Sequence, residues 1–242
     1  MSVIHIAKYD IKNILTNFWT YISFFFVIFL TATFIFSLDQ TNNIVGGTQI
    51  LNLFSWTLSF LGILFLSKTL TRDFSQETIQ KFLNTKNNRK RYFFGKFLSI
   101  ILIFVFFTII NLSLTYIFSN IVHSSTIKIK DFADVIVLFS LYFLLFGLFL
   151  YLLIIISNHA SIVFSLAIFI VLIIPFLLNL IPIIPNYKDD FMNIVNNVPI
   201  LFLPMKLYQG SLTINTTQVI ISIFSILLLM AINIYYTIKK NV

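Results

Sequence analysis

Residues 93–112 read FFGKFLSIILIFVFFTIINL, a stretch in which Lys96 is the single charged side chain. A helix needs roughly 20 predominantly apolar residues to cross the hydrocarbon core of a bilayer. The strands of a membrane barrel alternate apolar and polar side chains, whereas this stretch is apolar on every face. It therefore predicts a membrane-spanning helix.

The composition of the whole chain agrees with that prediction. Of its 242 residues, 59% are hydrophobic and only 10% are charged, and the mean hydropathy is +0.98. Soluble domains carry roughly a quarter charged residues, and a chain of this size cannot bury such an apolar surplus in one water-soluble core. We therefore predict an all-α integral membrane protein.

Six segments are long and apolar enough to span a membrane, and together they form one transmembrane domain over residues 1–242. The predicted spans are about 18–38, 49–70, 92–122, 132–157, 161–181 and 217–238. An even number of spans places both termini on the same side. The loops then predict which side this is.

Lys and Arg residues collect on cytoplasmic loops, and here twelve of the sixteen fall on the side of the two termini. The other side carries only Lys128, Lys130, Lys188 and Lys206. This imbalance predicts a multi-pass protein of the cell membrane with both termini in the cytoplasm. It also explains the net charge of +8 without nucleic acid as a partner.

Two segments outside the spans also have recognisable patterns. Residues 1–17 form a basic amphipathic helix suited to the membrane interface, and its apolar stripe consists of Ile4, Ala7, Ile11, Ile14, Leu15 and Phe18. Residues 182–216 form an extracellular segment that prolines break into short pieces, and we expect these pieces to sit on or dip into the outer leaflet. The prolines are Pro182, Pro185, Pro199 and Pro204.

Positive charge gathers between the second and third spans, where residues 71–96 read TRDFSQETIQKFLNTKNNRKRYFFGK and hold seven of the sixteen Lys and Arg residues. The pattern predicts a helix from Asp73 to Lys86, with Asp73 in its first turn, and then a polar turn that carries Arg89, Lys90 and Arg91. Three interpretations remain open: a loop that only sets topology, a patch for anionic lipid, or a helix that docks on a partner. Polar contacts with such a partner would come from Arg72, Asp73, Gln76, Glu77 and Lys81.

This stretch resembles the cytoplasmic loop of the ABC-2 type transporter permeases. In that family an acidic residue precedes a Gly-Thr pair, a Leu-rich turn, a Ser-Arg-like element and a Gly-Lys pair that opens the third span. The matching positions here are Asp73, Thr78, Leu83, Arg89 and Gly95–Lys96. Glu77 stands where the family usually has glycine, and Asn88 stands where serine is usual. The interfacial helix, the six spans and the broken outer segment extend the resemblance over the whole chain.

The resemblance implies that residues 72–91 form a coupling helix seated in a cleft of a separate ATPase subunit, with Thr78 and Leu83 among its contacts. It implies a complex of two permease chains, identical or different, with two ATPase subunits, which bind ATP and Mg²⁺. The family includes exporters of drugs, lipids, polysaccharides and peptides. Some Gram-positive members export or confer immunity to amphipathic peptides.

The sequence predicts no catalytic chemistry in this chain. A phosphate-binding loop needs G-x-x-x-x-G-K-[ST], but Lys90 and Phe97 replace the first glycine and the hydroxyl around the pair Gly95–Lys96. Of the three histidines, His5 and His159 fall at the inner edge of the predicted spans and His123 falls at the outer edge, so they cannot meet around one metal and we expect no metal site. We predict a chain that is not an enzyme and that binds no cofactor itself.

A stripe of small and polar residues follows one face of the second span: Asn52, Ser55, Ser59 and Gly62. Such residues usually serve helix packing, and the alternative is a mildly polar translocation path. An uncharged path would suit an amphipathic or lipid-like cargo. The leading prediction is thus the permease subunit of an ATP-driven exporter, and the alternatives are an immunity or sensory membrane protein of the same fold or a passive channel.

Overall fold

A computed structural model describes residues 2–40, 45–76, 79, 85–125, 127–180 and 188–239, and every regular element within these ranges is helical. The helices are α1 (Val3–Thr16), α2 (Phe18–Gln40), α3 (Gly47–Ser75), α4 (Lys86–Ile121) and α5 (Ile129–Ser157), followed by α6 (Ala160–Ile168), which passes through a π-helical turn (Phe169–Ile173) into α7 (Ile174–Leu180), and then by α8 (Lys188–Asn197), α9 (Pro199–Gln209) and α10 (Thr216–Lys239).

The predicted fold class, an all-α membrane protein with six spanning helices, is confirmed. Within the described ranges six helices are long and apolar enough to cross a membrane, namely α2, α3, α4, α5, the continuous helix Ala160–Asn179 and α10. Pro175 follows the π-helical turn of the fifth span. A proline inside a helix lacks an N–H and clashes with the preceding turn, so the wider turn lets the span continue past it.

The second and fourth spans form the centre of the bundle. In α3 and α5, 67% of the apolar stretch is buried, against 11% in α2 and α10. Aromatic rings fill the space between the central helices: Phe107 of α4 lies 5.8 Å from Phe143 of α5 and 5.8 Å from Phe65 of α3 between ring centroids. The outer helices therefore leave much of their apolar surface to lipid.

Gly62 shows how closely the central helices pack. A Cβ atom added at this position would lie 2.4 Å from the Cζ atom of Phe143, well inside van der Waals contact. Small residues allow helices in membranes to approach closely. The glycine in the predicted polar stripe thus serves the contact between α3 and α5.

The helix boundaries around the basic loop differ from the prediction. Asp73 lies in the last turn of α3, not the first turn of a separate helix, because the second span continues to Ser75. Arg89, Lys90 and Arg91 lie in the first turns of α4, not in a polar turn, because that helix begins at Lys86. Polar residues can extend a spanning helix beyond the bilayer, where water satisfies their side chains. The rest of the predicted coupling helix, 77–78 and 80–84, lies outside the described residues.

The buried face of the N-terminal helix matches the predicted stripe only in part. Its buried residues are Ile6, Ala7, Asp10 and Ile14. Ile4 and Phe18 of the predicted stripe are 71% and 70% exposed. Ala7 and Ile14 of the predicted stripe are thus buried and Ile11 packs against the core, and the buried face also includes a carboxylate, Asp10.

The predicted outer segment contains two short helices. Pro199 is the first residue of α9, where its missing N–H is not needed, and Pro204 lies inside this helix. Phe202, Leu203 and Leu207 are buried in the main core. This helix therefore packs on the bundle, and its position relative to the outer leaflet stays a prediction. Pro182 and Pro185 lie outside the described residues.

Candidate functional site

Four charged side chains meet inside the protein at the end of the bundle that carries α1. The Asp10 carboxylate accepts hydrogen bonds from Arg72 Nη2 at 2.6 Å, from Lys96 Nζ at 3.1 Å and from Ser99 Oγ at 2.7 Å. Lys96 Nζ also donates to the carbonyl oxygen of Thr69 at 3.1 Å. One acid from α1 therefore joins both long helices that flank the basic loop.

The second acid closes the arrangement. Asp73 Oδ2 lies 2.8 Å from Lys96 Nζ, and it accepts a hydrogen bond from the Tyr92 hydroxyl at 3.0 Å. Asp73 Oδ1 accepts from Arg72 Nη2 at 3.1 Å. We call Asp10, Arg72, Asp73 and Lys96 the charge cluster. Its two carboxylates and two cations cancel, and each carboxylate has three side-chain donors.

The charge cluster is shielded from solvent. The exposed fractions are 1% for Asp10, 9% for Arg72, 4% for Asp73 and 0% for Lys96. Moving an ion out of water costs several kcal/mol, which only well-placed opposite charges and hydrogen bonds offset. The cluster satisfies that condition, and removing one member would leave a buried charge without compensation.

Local sequence explains how three helices converge here. Gly95 lies against α1, and an added Cβ atom would be 2.9 Å from the side chain of Ile6. This close approach brings Asp10 to the residue after the glycine, Lys96. The Tyr9 ring covers the Arg72 guanidinium, with Cζ 4.5 Å from the ring centroid, a favourable cation–π contact.

The predicted coupling residues fall into three groups. Arg72 and Asp73 are engaged in the charge cluster, so their side chains are held within the chain and not at an open surface. Gln76 is exposed just after α3, and its backbone N–H donates to the Arg72 carbonyl at 3.0 Å. The other predicted contacts, Glu77, Thr78, Lys81 and Leu83, lie outside the described residues. The charge cluster thus lies at the base of the loop between α3 and α4.

The basic cluster predicted at the membrane surface lies at the same end of the bundle. Arg89 Nη1 donates to the Ile238 carbonyl at 2.8 Å, which connects the start of α4 to the last turn of α10. Lys90 and Arg91 are exposed. Sequence reasoning found these cations but not their position beside the last span.

Most of the residues predicted to line a translocation path are instead packed between helices. Ser55 and Ser59 are 0% and 1% exposed, and Ser55 Oγ accepts a hydrogen bond from Asn111 Nδ2 at 2.8 Å. Together with Gly62, these residues favour the packing interpretation of the stripe. Asn52 lies nearer the surface, in a recess beside Tyr208 of α9.

An open groove lies on the neighbouring face, between α2 and α3. It has a volume of about 590 Å³ and is bordered by Phe26, Leu30, Phe60 and Leu64. Its polar groups include Thr31 and Thr57, whose hydroxyls are 3.3 Å apart. The groove is therefore apolar, with a small uncharged polar patch.

Sequence reasoning missed the central residues of this site. It identified Lys96 only as part of the Gly95–Lys96 pair that matches the family pattern, and it assigned no role to Asp10. A signal was present, since Asp10 follows Ile6 by four residues and precedes Ile14 by four, on one helix face. No family model matches this chain, and no curated protein is similar enough to match it.

Proposed function

We propose that this chain is the membrane-spanning subunit of an ATP-driven exporter. A separate ATPase subunit would bind the loop between α3 and α4 from the cytoplasm and move it. The observation that carries this proposal is the charge cluster, which fastens α1 and the facing ends of α3 and α4 together at the base of that loop. A loop built only to join two spans does not need such a connection.

The charge cluster would make the loop an effective lever. If one helix moved away alone, its buried charges would lose their compensation, at a cost of several kcal/mol per ion, so the ends of the three helices favour moving as one body. Because α3 and α5 form the centre of the bundle and α3 leads directly into the loop, a displacement there changes the packing of the core. Packed interfaces of this kind shift between discrete arrangements, and nucleotide bound to the partner would select one of them.

The groove between α2 and α3 supports the proposed class of cargo. Its border is apolar and its polar atoms are uncharged, and a volume of about 590 Å³ falls within the range of small-molecule sites, about 300–1,000 Å³. An amphipathic or lipid-like molecule matches this lining, whereas a highly charged one would lose its hydration without compensation. The cargo could be a peptide of that character.

Purification of the affinity-tagged chain in mild detergent from its own host tests the proposal. We expect a protein with a phosphate-binding loop to co-purify in a fixed ratio, and we expect the isolated complex to hydrolyse ATP. An amphipathic cargo should stimulate that hydrolysis in reconstituted vesicles, which separates an exporter from an immunity protein that moves nothing. A chain that always purifies without an ATPase, in conditions that preserve its fold, would contradict the proposal.

A further inference from the structure

A small cavity opens between the start of α4 and the end of α10, at the end of the bundle where the charge cluster lies. It has a volume of about 190 Å³ and is lined by Lys90, Phe93, Phe94, Ile234, Thr237 and Ile238. Its inner wall is closed, since the hydroxyls of Thr237 and Tyr151 are 3.1 Å apart and both residues are buried. Phe94 is 41% exposed on the outside. The cavity therefore opens away from the core.

Two lysines of α4 lie at or near one side of the mouth of this cavity. Lys90 lines it and is exposed, and Lys86 is exposed one helical turn earlier, on the same face of α4. The two buried acids at this end of the bundle, Asp10 and Asp73, are held in the charge cluster. Neither lysine forms an ion pair within the described part of the chain. The cavity thus combines an apolar interior with a cationic rim.

We propose that this cavity binds one anionic phospholipid. The headgroup phosphate lies against Lys90 and Lys86, and an acyl chain follows Phe93, Phe94 and Ile234. Basic pockets between spanning helices, near the membrane surface, bind acidic lipid headgroups in this way. The proposal does not depend on the exporter function, because it rests on the cavity and its charges alone.

The apolar lining distinguishes a lipid from a soluble phosphate. A free phosphate would meet only the lysines, at an exposed site where water screens the attraction. A phospholipid adds van der Waals contacts between its acyl chain and the apolar lining, which a free phosphate cannot make. The occupant is therefore a molecule with both parts, and the affinity should depend on the headgroup charge and on the chain together.

Native mass spectrometry of the purified full-length chain tests this proposal. The chain is titrated with phosphatidylglycerol and, separately, with phosphatidylcholine of the same acyl chains, and the ratio of the two association constants is measured. We expect a preference for phosphatidylglycerol. The variant Lys86→Ala/Lys90→Ala should lose roughly fivefold of that preference for each charge removed, since a basic residue near an anionic membrane surface contributes about 1 kcal/mol.

A matched variant provides the control. Lys128→Ala/Lys130→Ala removes two exposed positive charges from the opposite end of the bundle and should leave the preference unchanged. Lys90→Ala alone should show an intermediate loss. The proposal is overturned if the two double variants behave alike, or if glycerol phosphate and inorganic phosphate displace the lipid as well as a second lipid does.

Discussion

The variant Asp10→Asn should unfold at a temperature roughly 6–20 °C lower than the unchanged protein. Removing one partner of a buried ion pair costs about 3–5 kcal/mol, and each kcal/mol shifts the midpoint by about 2–4 °C in a chain of this length. The loss arises because Arg72 and Lys96 would then share one carboxylate, Asp73, inside the protein. Fluorescence of Trp19 and Trp56 during heating in detergent measures the midpoint.

A compensating variant separates the charge effect from simple damage to the helix. Asp10→Asn/Lys96→Met removes one charge of each sign and leaves Arg72 paired with Asp73. Directly interacting residues show coupling energies of about 0.5–3 kcal/mol. The double variant should therefore lose less unfolding free energy than the two single variants lose together. Lys12→Ala, at an exposed position of the same helix, should change stability by no more than about 0.5 kcal/mol. Strict additivity, or a single variant as stable as the unchanged protein, would show that the four charges do not act as a unit.

Reversing one charge in the loop with Glu77→Lys should release the proposed ATPase subunit from the purified complex. Truncating one partner of a buried, hydrogen-bonded charge pair at an interface costs about 2–5 kcal/mol, which corresponds to roughly thirtyfold or more in affinity. We therefore expect the amount of co-purified ATPase to fall by at least about tenfold, measured by quantitative mass spectrometry. Asp73 does not suit this experiment, because its reversal would break the charge cluster and the fold with it.

The control for Glu77→Lys makes the same charge change at an exposed acid of another helix. Asp39 is exposed near the end of α2, and Asp39→Lys should leave the amount of co-purified ATPase unchanged. Both variants should keep the unfolding midpoint of the unchanged protein. If Glu77→Lys retains its partner at full occupancy, the loop is not the docking element.

The spanning helices were predictable from sequence because their signal is local. A run of apolar side chains identifies each span without knowledge of its neighbours, and the predicted start of α2, at Phe18, coincides with the observed one. The predicted helix boundaries were wrong at the basic loop, where the spans end. At Lys86–Arg91 the polar residues resembled a turn, although they continue the helix.

The charge cluster was not predictable in the same way, since it depends on tertiary contacts. Asp10 is 62 residues from Arg72 and 86 residues from Lys96 in the chain, so no local pattern pairs them. The apolar stripe predicted for α1 matched only part of its buried face, because buried carboxylates are rare and the apolar pattern gave Asp10 no role. On α3, the burial of Ser55 and Ser59 and the close packing at Gly62 favour a packing role for the predicted polar stripe.

The sidedness of the basic loop tests the central claim most directly, since an ATPase can drive this chain only from the cytoplasm. The chain contains no cysteine, so Gln76→Cys and Ser125→Cys each supply a single, exposed thiol for a membrane-impermeant maleimide. We predict that in intact cells Ser125→Cys is labelled and Gln76→Cys is labelled only after permeabilisation. Labelling of Gln76→Cys from outside intact cells would contradict the account.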